Sequence, residues 1–276
     1  MTEYQETDSQ LAQRIAVEAA QLLVEVRSEH NLTSDASVAE QRALGDDSDR
    51  RSNALILQRL AAARPGDAVL SEEAPDDGVR VGCDRVWIVD PLDGTAEYRT
   101  ARDEFAVHVA LWERTADGAG ELTAACIALP DRERVWCTDD AVLPTPSVNL
   151  DGPLTLAISR NYLPPGLDVV IERMTVALHD AGHRHASFEL ARVGSVGAKV
   201  DEVLVGKAVA YLFTGGLKEW DAAAPFAVAS HQGFAVGDVP GIGFEYNRAA
   251  PLIGSGFVCH PALADILRAA VVDSGL

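Results

Sequence analysis

The segment Arg85-Val86-Trp87-Ile88-Val89-Asp90-Pro91-Leu92-Asp93-Gly94-Thr95 limits what this chain can fold into more than any other. The apolar run Val86 to Val89 stops abruptly at an acid and a proline, the pattern of a buried strand at its C-terminal end. Six specified residues, Asp90 to Thr95, recur by chance on the order of once in tens of millions of hexapeptides. The proline ends the strand, and the turn after it aims Asp90 and Asp93 at one place with the Leu92 carbonyl beside them. Carboxylates plus a backbone carbonyl are the oxygen ligands that a hard divalent cation such as magnesium takes. An ordinary Asx turn with glycine in the left-handed region is the plain alternative for Asp-Pro-x-Asp-Gly. It does not explain why a second apolar run, Ala68-Val69-Leu70-Ser71, also ends in acids, Glu72 and Glu73. Nor does it explain a third acid, Asp221, within Glu219-Trp220-Asp221-Ala222-Ala223-Ala224-Pro225. Clustered acids repel unless a cation joins them.

Composition narrows the function classes. With 276 residues, 47% of them hydrophobic, the chain can bury a core large enough for one large domain or two closely packed ones. The 42 acidic against 23 basic residues leave a net charge of -19, which repels nucleic-acid polymers and anionic membranes. Most of those acids serve to solvate the surface. The four cysteines, Cys83, Cys126, Cys137 and Cys259, show no C-x-x-C spacing and are expected to be reduced core thiols. The acidic, polar opening Met1 to Gln10 does not read as a signal peptide, and no apolar run reaches the length of a membrane span. A cytoplasmic location is the expectation.

Along the chain, Leu11, Ile15, Ala19, Leu22, Leu23 and Val26 recur at helical spacing and predict an opening amphipathic helix. After a polar stretch, a second helix is expected to start at Asp49, capped by Ser48 or Asp49 and carrying Ala54, Leu55, Leu57 and Leu60. The runs at Ala68 and Val86 are strands, and FAVHVALW, LTAACIAL and RVWCT predict an antiparallel meander. The connection Asp139 to Pro153 divides an N-terminal α+β unit, 1–145, from a C-terminal α/β unit, 146–276. In the second unit LTLAISR and AVAYLF read as strands, and Asp168 to Ala181, Gly197 to Gly206 and Trp220 to Ser230 as helices.

Ser71-Glu72-Glu73, Trp87 to Thr95 and Glu219 to Pro225 resemble, in order and spacing, the three signatures of the inositol monophosphatase superfamily. Within it, VLSEEAP, DRVWIVDPLDGT, LAISR and VGSVGAK are most similar to the CysQ-type 3'(2'),5'-bisphosphate nucleotidases. The resemblance implies an α/β fold of layered αβαβα type with the site between the two units. It implies a magnesium-dependent phosphoric monoester hydrolase with two or three Mg2+ ions per site, acting on 3'-phosphoadenosine 5'-phosphate. The metal ligands it implies are Glu72, which it also places among the catalytic groups, Asp90, the Leu92 carbonyl, Asp93 and Asp221. Glu73 is either a supporting acid or a solvated strand-end residue. Thr95 and Asp49 match the residues that hold the attacking water, Asp49 less directly, because Arg42 to Ser48 replaces the lysine and Pro-Val-Thr of many relatives. For Asp49, helix capping remains the alternative.

For the substrate, backbone amides around Gly94 and Thr95 are expected to receive the phosphate. Ser159, Arg160, Ser195 and Lys199 match family substrate contacts, with Lys199 suited to a second phosphate. The alternatives are a strand-end surface for the first pair and a solvated lysine for the last. His179, His183 and His185 read as surface or substrate-rim residues, since an all-oxygen ligand set disfavours zinc. Trp220 reads as packing at a helix start. The partner is thus a small phosphorylated metabolite, a nucleotide by resemblance, with a homodimer admitted. Inositol phosphate, fructose 1,6-bisphosphate or a specialised nucleotide stay open as substrates, and so does a metal-dependent nucleotide sensor that does not hydrolyse.

Overall fold

Alternation along one strand sets up the layers. On β2 (Arg85–Asp93), Trp87 and Val89 point to one face and Val86 and Ile88 to the other, and all four are buried. A strand buried on both faces needs helices on both sides. The computed structural model describes residues 6–33 and 35–272, so the start of the acidic opening, Met1 to Gln5, lies outside the described residues.

The first face of β2 is covered by α1 (Asp8–His30) and α2 (Val38–Ala63), whose buried residues Leu11, Ile15, Leu23, Ile56 and Leu60 form one core with Trp87 and Val89. The sheet beneath them runs β1 (Ala68–Ser71), β2, β3 (Ala106–Glu113), β4 (Glu121–Leu129) and β5 (Arg134–Cys137), with β1 parallel to β2 and the rest antiparallel. The expected meander is present. The short α3 (Thr95–Arg99) follows β2.

A second five-stranded sheet is ordered β10 (Ala235–Asp238), β12 (Gly256–Cys259), β8 (Ala210–Phe213), β6 (Pro153–Ser159) and β7 (Ser187–Val193). Its outer face packs on α4 (Leu167–Asp180) and α7 (Ala264–Val272). Between the two sheets lie α5 (Val196–Leu204) and α6 (Glu219–His231), sharing a core with Val86 and Ile88 of one sheet and Tyr211 and Val258 of the other. A two-residue pair, β9 (Leu217–Lys218) with β11 (Leu252–Ile253), braces the entry to α6. The order of layers is αβαβα, as the resemblance implied.

Two expectations are corrected here. The second helix does not begin at Asp49: it starts at Val38, where Ser37 accepts the Glu40 amide and Glu40 accepts the Ser37 amide, and Asp49 stands in its middle. This reciprocal pair satisfies two otherwise orphan donors. Cys126 and Cys137 are not free thiols, because antiparallel pairing of β4 with β5 sets them directly opposite and they form a disulfide. Opposed positions in such a ladder bring the β-carbons within bridging reach. Cys83 and Cys259 are free. Among the described residues no helix is long and apolar enough to cross a membrane.

Candidate active site

The parallel register that pairs Ser71 with Val89 sets the ends of β1 and β2 side by side, and the Glu72 amide donates to the Val89 carbonyl at 3.3 Å. Glu72 therefore lies next to Asp90. A register irregularity between Asp90 and Asp93 opens the ladder at Pro91 and Leu92. Asp90 Oδ1 accepts the Leu92 amide at 3.0 Å, while the Thr95 hydroxyl donates to the Leu92 carbonyl at 3.1 Å. From the middle layer, Asp221 stands in the first turn of α6, where its Oδ2 accepts the Lys218 amide at 2.6 Å. Carboxylate oxygens of Asp90, Asp93 and Asp221 lie within 4.8 Å of one another.

The electrostatics of this triangle favour a cation beside it. Burial first, then Glu72, Asp93 and Asp221, push the Asp90 carboxyl far above the usual carboxylate range. Burial and then Asp93 raise Asp221 to about 6. Glu72 is exposed at the rim, yet its carboxyl is packed among these acids, and partial desolvation together with Asp221 lifts it to about 7. Such acids stay ionised only beside a cation. The donor set is all oxygen, so it fits a hard divalent ion.

Asp93 differs. Burial favours its neutral form, but His108, Lys199 and Ser195 act the other way and hold its carboxyl below the ordinary range. Its Oδ2 accepts the Ser195 hydroxyl and the Gly197 amide, the latter at 2.7 Å. Ser195 also caps α5, accepting the Ala198 amide. Ser195 is fully buried, so the structure places it behind the Asp93 carboxylate and away from the cleft surface. Gly94 has φ 86° and ψ 37°, and a β-carbon there would lie 2.6 Å from the Glu104 carbonyl and 2.9 Å from Ser195 Cβ. Only glycine fits, on both conformational and steric grounds.

Asp49 reaches the same place from α2. Its neighbours Ser48 and Ser52 are buried and bond to the Tyr98 hydroxyl and the Pro91 carbonyl, so the small residues of this helix face clamp it onto the Asp90 turn. Burial, then Glu73 and Glu72, raise the Asp49 carboxyl to about 7. Glu73 thus stands near Asp49.

At the C-terminal end of β6, Ser159 pairs with Val193, and Arg160 binds Glu104, whose carboxylate also accepts the Gly194 amide. Lys199 is placed differently from its expectation. Its side chain is 2% exposed, its ammonium donates to the Gly194 carbonyl at 2.7 Å and lies 5.1 Å from the Tyr211 ring centroid. The cause is the pitch of α5, which turns Lys199 back into the middle layer. His179 lies in the last turn of α4, and His183 and His185 follow in the connection to β7. That is the opposite end of β7 from Ser195, roughly 20 Å away at about 3.3 Å per residue. Trp220 is partly buried and packs on the central core, as expected. One site residue was overlooked: His108, fully buried, whose ring lies 3.2 Å from Asp93 and 3.2 Å from the Trp220 carbonyl. The signal for it was a lone polar residue in the apolar strand FAVHVALW.

The model of the inositol monophosphatase family matches residues 4–275. The chain belongs to the inositol monophosphatase family. Within it, the chain is 40% identical over 267 residues to a 3'-phosphoadenosine 5'-phosphate phosphatase of Mycobacterium leprae, covering 95% of this chain and 92% of that one. It is 28% identical over 215 residues to the 3'(2'),5'-bisphosphate nucleotidase CysQ of Salmonella typhimurium, covering 76% and 82%. Its fold matches that of inositol monophosphatase II from Staphylococcus aureus, with a TM-score of 0.74 over 96% of this chain and 95% of that one at 18% identity.

Proposed function

We propose that this family member is a magnesium-dependent phosphatase that hydrolyses 3'-phosphoadenosine 5'-phosphate to AMP and phosphate. The observation that carries the reading is the triangle of Asp90, Asp93 and Asp221 oxygens within 4.8 Å, set beside Thr95. The nucleotide is supported by the 40% identical relative named for that substrate. Glu72, Asp90, the Leu92 carbonyl, Asp93 and Asp221 would hold two or three Mg2+ ions, which supply charge neutralisation and Lewis acidity at the phosphoryl group.

The chain's own groups do the rest. The Thr95 hydroxyl spends its proton on the Leu92 carbonyl, which leaves its oxygen lone pairs to accept from a water and fix that water's direction. Asp49, with a carboxyl near neutral in affinity for protons, takes the water's proton as the water oxygen bonds to phosphorus. The bond from phosphorus to O3' breaks in the same displacement, and O3' takes a proton from solvent water to give the ribose hydroxyl, while Asp49 returns to solvent the proton it took. Amides around Gly94 and Thr95 receive the phosphoryl oxygens. Arg160, held by Glu104 beside the Gly194 turn, is a basic side chain that can meet the phosphate that stays. Ser159 precedes it at the strand end.

Phosphate release from 3'-phosphoadenosine 5'-phosphate, inositol 1-phosphate and fructose 1,6-bisphosphate, in parallel and with magnesium, tests the proposal. The bisphosphate nucleotide should show the highest kcat/KM, with AMP as product. No release from that nucleotide, or equal release with the metal chelated, would refute it.

A further inference from the structure

The imidazole of His108 is a buried polar group beside the acid triangle that the reaction above does not use. On β3 it stands opposite Asp90, and it shares the central-layer face with Ala106 and Ala110, so it sits among apolar side chains. A fully buried imidazole there is costly unless both nitrogens are met. Nδ1 lies 3.2 Å from the carbonyl of Trp220, the residue before Asp221 on α6. Nε2 lies 3.2 Å from Asp93 Oδ2, off the line of a good hydrogen bond, and has no other partner among the described residues. Space for the ring comes from Gly197, where a β-carbon would lie 2.5 Å from Nε2. One side chain therefore joins the strand that bears Asp90 and Asp93 to the helix that bears Asp221.

Among the described residues, Ser195, Gly197 and His108 all approach Asp93 at Oδ2. Oδ1 is left for a cation. We propose that His108 is a positioning residue whose Nε2, held against Asp93 Oδ2 by the contact of Nδ1 with the Trp220 carbonyl, fixes the Asp93 carboxylate so that its Oδ1 and Asp221 present a preformed cation site. The inference rests on the metal-site reading given under Proposed function. Removal of a side chain that orients a ligand in this way costs about 10- to 100-fold in metal affinity.

Two substitutions separate its two contacts. Glutamine can place its amide nitrogen where Nε2 lies, and asparagine can place its amide where Nδ1 lies. Binding of Mn2+ to the whole protein is measured by titration calorimetry, without substrate, for wild type, His108→Gln and His108→Asn. Wild type should bind, His108→Gln should stay within about threefold, and His108→Asn should lose about tenfold or more. Equal losses in the two variants, or no loss in His108→Asn, overturn the proposal. If His108→Asn does not fold, His108→Gln decides alone: retained affinity upholds the role of Nε2, and a tenfold loss in the folded variant overturns it. A wild-type protein that binds no Mn2+ would instead refute the metal-site reading on which the proposal stands.

Discussion

At the scale of single residues, convergence of donors on Asp93 Oδ2 predicts what Asp93→Asn does. The Ser195 hydroxyl and Gly197 amide require an acceptor at that point. The asparagine carbonyl must take it, which turns the amide NH2 toward the cation. Turnover should fall by about 100-fold or more, because an anionic ligand has become a misdirected donor. The fold should survive. Near wild-type turnover in saturating magnesium, from a variant that melts as the parent does, would remove Asp93 from the ligand set. For Lys199, burial against the Gly194 carbonyl and the Tyr211 ring makes it a support for the Ser195 turn. Lys199→Ala should destabilise by about 2–5 kcal/mol, as truncation of a buried side chain with its polar partners does. Its kcat/KM should drop by the same factor on the bisphosphate nucleotide and on inositol 1-phosphate. A loss confined to the nucleotide would show that Lys199 reads a second phosphate after all.

At the scale of elements, legibility followed hydrophobic patterning. β2 and the meander could be read because apolar runs end at clear turn signals, and α1 because its apolar residues keep a helical period. The first half of α2 could not, since Gly45 packs against Arg99 while Ser48 and Ser52 turn small polar side chains to Tyr98 and Pro91, where an ordinary helix would show leucines. Its start is written in Ser37 and Glu40, a capping pair that no apolar stripe accompanies. Strand β7, an edge strand with Glu189, Leu190 and Arg192 all exposed, lacked the alternation that marks a half-buried strand. The disulfide needed strand register, which an eleven-residue separation does not reveal. Of the candidate site, the three acids that the structure brings together at strand and helix ends were visible. His108 and the inward turn of Lys199 were not, because both depend on which face of an element meets the middle layer. Capping gives this scale its prediction. Ser37→Ala removes the acceptor of the Glu40 amide at one end of the helix that carries Asp49, so stability should fall by about 1 kcal/mol. Activity should hold, since Ser48 and Ser52 still clamp the middle of the helix to its neighbours. A variant with unchanged melting temperature would show that the cap is not used in solution.

At the scale of the whole molecule, the site is assembled from three layers: Asp49 from the outer helices, Glu72, Asp90 and Asp93 from the first sheet, and Asp221 from the middle helices. Folding therefore forces like charges together, and the cost should appear as a pH dependence of the metal-free protein. Burial and mutual repulsion raise Glu72 and Asp49 to about 7 and Asp221 to about 6, with Asp90 raised further. Groups with folded values above their unfolded ones bind more protons in the native state, so their contribution to stability is present at low pH and is lost as pH rises through the folded values. The window here runs from about pH 4.5 to beyond 7. Surface acids held low by arginines, such as Glu6, Asp8 and Glu18, act below that window and do not blur it. The melting temperature of chelator-treated protein should thus decline between pH 5 and pH 8. Magnesium must displace the same protons, so it should raise the melting temperature at pH 8 and do little at pH 5. At a hundredfold excess over its dissociation constant the gain is about 2.7 kcal/mol, and each kcal/mol is worth about 2–4 °C in a chain near this size. Differential scanning calorimetry at the two pH values, with and without magnesium, is the measurement. A metal-free protein no less stable at pH 8 than at pH 5, or a magnesium shift equal at both, would mean that these carboxylates are not the ones the cation neutralises.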